Sequence, residues 1–136
     1  MGIAQMIVLD THVLLWWVSN PEQLSKKARS TIERTISEGS IYISSISAWE
    51  IAMLVDRKRL ALTMDVKDWI TRCEAIPYIK FVPVTNGIAI KAVQLTGDIH
   101  NDPADRIIVA TALSMGVALV TMDQKLRNYQ YVKTVW

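Results

Sequence analysis

The segment Met6-Ile7-Val8-Leu9 is apolar at every position, and Asp10 follows it directly. A strand with one solvated face alternates apolar and polar residues, so a wholly apolar run predicts a strand that is buried on both faces. Such strands occur in parallel sheets that are covered by helices on both sides. This segment therefore constrains the chain to an α/β arrangement with a carboxylate at the end of an inner strand.

The rest of the chain alternates short apolar runs with amphipathic segments. We predict further strands at residues 41–43, 81–84, 118–121 and 131–135, and helices over 12–18, 25–37, 47–57, 66–76, 86–95 and 103–116. Strands that alternate with helices form a mainly parallel sheet through right-handed crossovers. The predicted fold is a three-layer α/β/α sandwich with a sheet of about five strands. No repeat or linker is visible, so we expect one domain over residues 1–136.

Composition excludes several classes of protein. The chain is 51% hydrophobic and 21% charged, which is too apolar for a disordered segment. No apolar run approaches the roughly 20 residues of a membrane-spanning helix, and the first residues lack a basic secretory region. The single cysteine, Cys73, cannot form an internal disulfide or a multi-cysteine zinc site. We expect a cytoplasmic protein with no membrane partner.

Four acidic residues follow predicted strands or open predicted helices: Asp10, Glu50, Asp105 and Asp123. Binding sites in parallel sheets form beyond the carboxyl ends of the strands, where all four side chains can meet. Asp105 shares a helical stripe with Ile108, Val109 and Ala112, so it should point towards the sheet. The pattern predicts one acidic cluster.

Each acid also has a structural explanation. Ser47 and Glu50 fit a capping box, and Asp123 can cap a last helical turn. Asp102 with Pro103 is a strong helix start, and Asp102 and Asp105 both complement the dipole of that helix. Thr11 can likewise cap the first helix. Each structural role could account for one acid without a shared site. Such a role is hardest to assign to Asp10, which directly follows a buried strand.

Several carboxylates close together repel one another, and a divalent cation relieves that repulsion. Oxygen ligands suit Mg²⁺ or Mn²⁺, and either one ion or two is compatible with the pattern. Net charge is only +2, but removing these four from the 13 acidic residues leaves nine against 15 basic ones. That balance suits a polyanionic substrate. Thr11, Thr121 and Asp102 are candidates for supporting roles, whereas His12 and His100 lack the spacing of a metal-binding pair and stay unassigned.

Four patterns in order resemble those of PIN domains, and specifically of VapC-type toxins of bacterial toxin–antitoxin pairs. They are Met6-Ile7-Val8-Leu9-Asp10-Thr11-His12, Ser44-Ser45-Ile46-Ser47-Ala48-Trp49-Glu50-Ile51, residues 101–112 with Asp102-Pro103-Ala104-Asp105-Arg106, and Leu119-Val120-Thr121-Met122-Asp123. The resemblance implies a PIN-like fold, Mg²⁺- or Mn²⁺-dependent endoribonuclease activity on RNA, a homodimer and a cognate antitoxin. It also implies that Asp10, Glu50, Asp105 and Asp123 are the catalytic, metal-binding acids, with Thr121 at the family's hydroxyl position.

Partner surfaces are less defined. The tryptophans Trp16, Trp17, Trp49 and Trp69 fit either the core or an interface. The cluster Arg57, Lys58 and Arg59 fits either an RNA contact or a solvated helix end.

Three alternatives compete with the toxin interpretation. A receiver-like phospho-acceptor domain needs an acid after the third strand, where Val82-Pro83-Val84-Thr85 has none. A non-catalytic module of the same fold, and a PIN-type nuclease that acts in RNA processing or on DNA, both stay open.

Overall fold

The computed structural model describes residues 6–136, and its centre is a parallel sheet. The five strands are β1 (Met6–Leu9), β2 (Ser40–Ser44), β3 (Ile79–Val82), β4 (Ala118–Val120) and β5 (Thr134–Val135). Their spatial order is β3-β2-β1-β4-β5, and each neighbouring pair is parallel. The predicted α/β class and strand number are confirmed.

Strand β1 occupies the middle of the sheet, as its apolar sequence predicts. Ile7 is in register with Ile41 of β2, and Leu9 with Val120 of β4. Val8 and Leu9 have no solvent exposure. Strand β1 is therefore covered on both faces, which explains why Ile7, Val8 and Leu9 are all apolar.

Helices cover both faces of the sheet. They are α1 (Thr11–Ser19), α2 (Lys26–Glu38), α3 (Ile46–Asp56), α4 (Val66–Glu74), α5 (Asn86–Val93), α6 (Pro103–Met115) and α7 (Gln124–Arg127). Ile7 and Leu9 pack in one core with side chains of α1, α2 and α4, while Val8 packs in a second core with α6 and α7. The two cores lie on opposite faces because successive side chains of a strand point in opposite directions.

Strands β3 and β5 differ most from the sequence prediction, whereas β2 and β4 differ by no more than a single residue at each end. Strand β3 ends before Pro83, which has no amide hydrogen for the ladder, and it begins earlier, at the buried Ile79. Strand β5 is shorter than predicted because Tyr129 and Val132, just before it, turn into the second core. Neither difference moves the sheet edge that carries the acids.

The carboxyl ends of β1, β2 and β4 lead directly into α1, α3 and α7. Helix α6 precedes β4 and runs back across the sheet, so its first turn lies at that same edge. Asp10, Glu50, Asp105 and Asp123 are thereby brought to one side of the molecule. None of the helices over residues 6–136 combines the length and apolarity that crossing a bilayer requires.

Candidate metal centre

An open cavity of about 360 Å³ lies beyond the carboxyl ends of β1 and β4. Its walls are formed by Asp10, His12, Val13, Trp16, Glu50, Asp102, Asp105, Met122 and Asp123. All four acids of the predicted cluster are among them, together with the extra carboxylate Asp102. The sheet edge thus forms the shared acidic cavity that the spacing predicted.

Asp10 is the most enclosed of these acids, with 7% of its surface exposed. Its Oδ1 accepts a hydrogen bond from the amide of Thr11 at 2.8 Å, and its Oδ2 accepts one from the hydroxyl of Thr121 at 2.7 Å. Burial raises the pKa of Asp10, and the nearby charge of Asp123 raises it further. Asp10, and not Thr11, is the N-cap of α1, so the interpretation of Thr11 as the cap is wrong.

Thr121 joins two of the acids. Its buried hydroxyl donates to Asp10 and accepts a hydrogen bond from the amide of Asp123 at 3.0 Å. A hydroxyl has one hydrogen to give and two lone pairs, so both bonds form at once. Thr121 therefore fixes Asp10 relative to the chain at Asp123.

Glu50 is held by a relay of two hydroxyl groups. Its Oε1 accepts from Thr11 at 2.5 Å, and the Thr11 oxygen lies 2.7 Å from that of Ser47. Since the Thr11 hydrogen goes to Glu50, the hydroxyl of Ser47 must be the donor to Thr11. Burial raises the pKa of Glu50 to about 7, and the charges of Asp10, Asp105 and Asp102 also raise it.

The capping box predicted for Glu50 is wrong. Helix α3 begins at Ile46 with Ser45 as its N-cap, and the amide of Ile46 donates to the hydroxyl of Ser44 at 3.2 Å. This start puts Glu50 in the second turn, beyond reach of the first amide groups, and Ser47 inside the helix. The side chain of Glu50 contacts Thr11 across the cavity edge instead.

Asp105 lies in the first turn of α6, where Asp102 is the N-cap and accepts from the Asp105 amide at 3.0 Å. The predicted capping role of Asp102 is confirmed. Asp105 Oδ2 lies 2.6 Å from Nε2 of His100, in the loop before α6. Burial raises the pKa of Asp105 to about 6, against the lowering effect of the bond to His100.

Asp123 caps α7, with Oδ1 accepting from the amide of Lys125 at 2.8 Å. It also borders the cavity, and one carboxylate oxygen of Asp123, one of Asp105 and one ring nitrogen of His100 lie within 4.8 Å of one another. The structural and the functional interpretations of Asp123 are therefore compatible. A cap uses one oxygen and leaves the other free to face a cation.

His100 contacts the acidic cluster through Asp105, and His12 lines the cavity, although the sequence pattern left both unassigned. Spacing between histidines could not identify His100, because its partner is a carboxylate of the next helix. One signal was available in the sequence. A residue in the short loop before an Asp-Pro helix start lies close to the first turn of that helix, where Asp105 was already a candidate.

The remaining candidates lie elsewhere. The cluster Arg57, Lys58 and Arg59 is exposed at the carboxyl end of α3, seven or more residues beyond Glu50, and does not line the cavity. At about 1.5 Å per residue, that separation is roughly 10 Å. Trp69 is buried in the first core and Trp17 packs against it, whereas Trp16 borders the cavity and Trp49 is 57% exposed.

Comparison with known proteins agrees with this architecture. The family model of the PIN domain matches residues 7–130. Ribonuclease VapC22 of Mycobacterium tuberculosis is 35% identical over 132 residues, which are 96% of this chain and 98% of that protein.

Two crystal structures show the same fold. VapBC2 from Rickettsia felis, bound to a promoter DNA fragment, superposes with a TM-score of 0.70 at 15% identity, over 96% of this chain and 97% of that one. DNA-bound VapBC from Salmonella typhimurium gives 0.67 at 19% identity, over 96% of each chain. The chain is therefore a member of the PIN-domain family and, within it, a relative of the VapC proteins.

Proposed function

We propose that this chain is a metal-dependent endoribonuclease and the toxin of a toxin–antitoxin pair. The observation that carries the proposal is the cavity shared by Asp10, Glu50, Asp105 and Asp123, in which burial and mutual repulsion raise the pKa of three carboxyl groups. Repelling carboxylates are stable together when a cation lies between them. The ribonuclease activity of the relative VapC22 supports the choice of RNA as substrate.

The residues present fit a divalent cation. The cluster offers carboxylate oxygens, which suit Mg²⁺ and Mn²⁺, and within residues 6–136 no cysteine lines the cavity. Asp10, Glu50, Asp105 and Asp123 would hold the ion. When bound, it supplies a Lewis acid that activates water and neutralises charge on the phosphodiester.

The protein's own groups prepare this site. Thr121 holds Asp10 in place and Thr11 holds Glu50, so two carboxylates are fixed before any ligand arrives. Without a cation the pKa of Glu50 is raised to about 7, so binding a cation at Glu50 would release a proton near neutral pH. The exposed cations Arg57, Lys58 and Arg59 are proposed to contact RNA phosphates outside the cavity.

The assembly that we propose for this chain is based on the complexes in which similar proteins were solved. Two of the related structures are described as DNA-bound VapBC complexes, and a third, from Klebsiella pneumoniae, as a toxin–antitoxin complex. We propose that this chain, as one domain over residues 1–136, forms a homodimer in the cytoplasm and is neutralised by a cognate antitoxin. Expression should arrest growth, and co-expression of a short neighbouring reading frame should restore it.

Cleavage of RNA by the purified protein tests the activity. We expect cleavage with Mg²⁺ or Mn²⁺ and none after chelation, and we expect Asp10→Asn or Asp105→Asn to lose at least about 100-fold in rate, because a ligand matters at least as much as its outer partners. Asp68→Asn is the matched control, since Asp68 is also a first-turn aspartate but is exposed on α4. It should cleave RNA like wild type.

Three outcomes would contradict the proposal. Equal rates of RNA cleavage with and without metal would show that the reaction needs no cation. Preferential cleavage of DNA would favour a different PIN-type nuclease. Wild-type protein that binds RNA and does not cleave it would favour a non-catalytic module.

A further inference from the structure

We propose that His100 is a positioning residue of the metal centre, which holds the Asp105 carboxylate in the orientation that binds the cation. The proposal rests on the proposed function, because it requires Asp105 to be a ligand. Three observations carry it: the contact between the two side chains, the hydrogen-bond state of the imidazole, and the way in which the loop of His100 is attached to α6.

The contact is short and shielded. Nε2 of His100 lies 2.6 Å from Oδ2 of Asp105, and the two side chains are only 22% and 16% exposed. Nδ1 of His100 is buried and has no hydrogen-bond partner within residues 6–136. A buried N–H without an acceptor is costly, so the ring hydrogen belongs on Nε2, where it is donated to Asp105.

Arg106, the residue after Asp105, fixes the backbone of the same loop. Its guanidinium donates to the carbonyl of Ala92 at 2.8 Å, of Ile99 at 3.1 Å, of Val93 at 3.2 Å and of His100 itself at 3.4 Å. Two adjacent residues of α6 therefore hold His100, one through its side chain and one through its carbonyl. An exposed loop with a purely connecting role has no need for such a double attachment.

The start of the loop is fixed as well. The hydroxyl of Tyr129 donates to the carbonyl of Thr96 at 2.5 Å. Gly97 has a φ of 76°, and a Cβ at this position would lie 2.9 Å from the ring of Tyr131. The positive φ favours glycine, and a Cβ here would displace the ring of Tyr131. The loop that carries His100 is thus anchored to the second core at one end and to α6 at the other.

A direct role of His100 as a ligand fits the geometry less well. One ring nitrogen of His100 lies within 4.8 Å of an oxygen of Asp105 and an oxygen of Asp123. Nε2 is, however, already engaged by Oδ2 of Asp105, while Nδ1 is buried. A histidine that donates to a ligating carboxylate restricts its rotation and leaves the other oxygen for the metal, which is how outer partners tune metal sites.

Manganese binding to the chelator-treated full chain tests the proposal by calorimetry. We expect His100→Ala to bind Mn²⁺ about 10- to 100-fold more weakly than wild type, the usual effect of losing an outer partner. His100→Gln should bind within about threefold of wild type, because its amide nitrogen reaches as far as Nε2 and donates in the same way. Asp98→Ala is the control, since Asp98 is exposed in the same loop.

Two further measurements keep the test decisive. His100→Asn is polar but too short to reach Asp105, so Asn and Gln variants isolate the bond even where the Ala variant does not fold. Spin-echo spectra of Mn²⁺ bound to wild type should lack the coupling of a coordinated nitrogen.

Binding by His100→Ala or His100→Asn equal to wild type would overturn the proposal, and so would a coordinated nitrogen. Wild-type protein that binds no Mn²⁺, or cleaves no RNA with it, would instead refute the proposed function.

Discussion

Two threonine hydroxyl groups determine how the acidic cavity is built at the level of single residues. Thr121 connects Asp10 to the amide of Asp123, and Thr11 connects Glu50 to the buried Ser47. Carboxylates on a solvated surface rotate freely, whereas those of Asp10 and Glu50 are fixed by hydrogen bonds to Thr121 and Thr11. The cost of assembling like charges is thereby met during folding, before a ligand binds.

Replacing Thr11 tests this arrangement. The hydrogen bond from Thr11 lowers the pKa of Glu50, so Thr11→Val should raise that pKa further above about 7. Because a cation binds the ionised carboxylate, Mn²⁺ affinity in Thr11→Val should fall off at a higher pH than in wild type and recover in alkaline buffer. Thr11→Ser keeps the hydroxyl and should keep the wild-type pH dependence of binding. A pH dependence that Thr11→Val leaves unchanged would show that Glu50 does not control metal binding.

Substitutions of Asp102 can separate its role as a helix cap from the role of its negative charge. It caps α6 and also lines the cavity, so its two roles overlap in the structure. Asp102→Ala should lower the free energy of unfolding by about 1 kcal/mol, while Asp102→Asn, an equally good cap, should not. Urea unfolding measures both. If Asp102→Asn retains stability but loses metal affinity, the residue contributes to the metal centre as well as to the helix.

At the level of elements, the same sheet edge that collects helix starts also collects carboxylates. Asp10, Asp102 and Asp123 are the N-caps of α1, α6 and α7. A helix start prefers an acidic cap and a parallel sheet places these starts together, so capping and clustering have the same cause. This is why acids at these helix starts could be predicted from sequence, and why Asp102 and Asp123 also have a structural role as caps.

Other features of the elements lay outside what local patterns determine. The bond between Thr11 and Glu50 joins two helices whose distance along the sequence gives no sign of contact. A two-residue change in the N-cap of α3, from Ser47 to Ser45, decides whether Glu50 caps the helix or faces the cavity, and propensities do not fix helix starts so finely. The contact of His100 depends on the path of a loop that is held by Arg106 of the following helix and by the more distant Tyr129.

Two glycines with positive φ allow the loop before α6 to be tested without touching a charged group. Gly116, at the end of α6, has a φ of 68°, and an added Cβ would meet no atom within 4 Å. Gly116→Ala should therefore lower the free energy of unfolding only by the conformational cost of a left-handed residue, about 1 to 2 kcal/mol. Gly97→Ala carries the same cost and also displaces the ring of Tyr131.

Thermal unfolding and Mn²⁺ titration of the two glycine variants should give different results. Gly97→Ala should lose more stability than Gly116→Ala and should also bind Mn²⁺ more weakly, because its loop carries His100. Equal metal affinity in the two variants would mean that the loop tolerates the shift without disturbing Asp105.

The whole molecule should be less stable at neutral than at mildly acidic pH when no metal is bound. Asp105 and Glu50 have pKa values raised to about 6 and about 7, so the folded chain holds protons that the unfolded chain releases. The free energy of unfolding then falls as pH rises through this window, since the folded state binds more protons. Urea unfolding at about pH 5.5 and about pH 7.5 in chelator measures the difference.

Saturating Mn²⁺ should reverse this trend, because a ligand at 100 times its Kd adds about 2.7 kcal/mol and binds best to ionised carboxylates. The variant Glu50→Gln should reduce the pH dependence of the metal-free protein, and Asp68→Asn should not. A metal-free chain that becomes more stable between pH 5.5 and 7.5 would contradict the assignment of raised pKa values to the cavity.

The position of β1 in the middle of the sheet also governs when activity can arise during synthesis. Its partner β4 is made more than 100 residues later, and only that pairing brings Asp10 beside Thr121 and Asp123. Strand β4 in turn pairs with β5, which follows it in the sequence. A growing chain on the ribosome therefore carries Asp10 without its partners until β4 has been made, so we expect the acidic centre to stay incomplete until then.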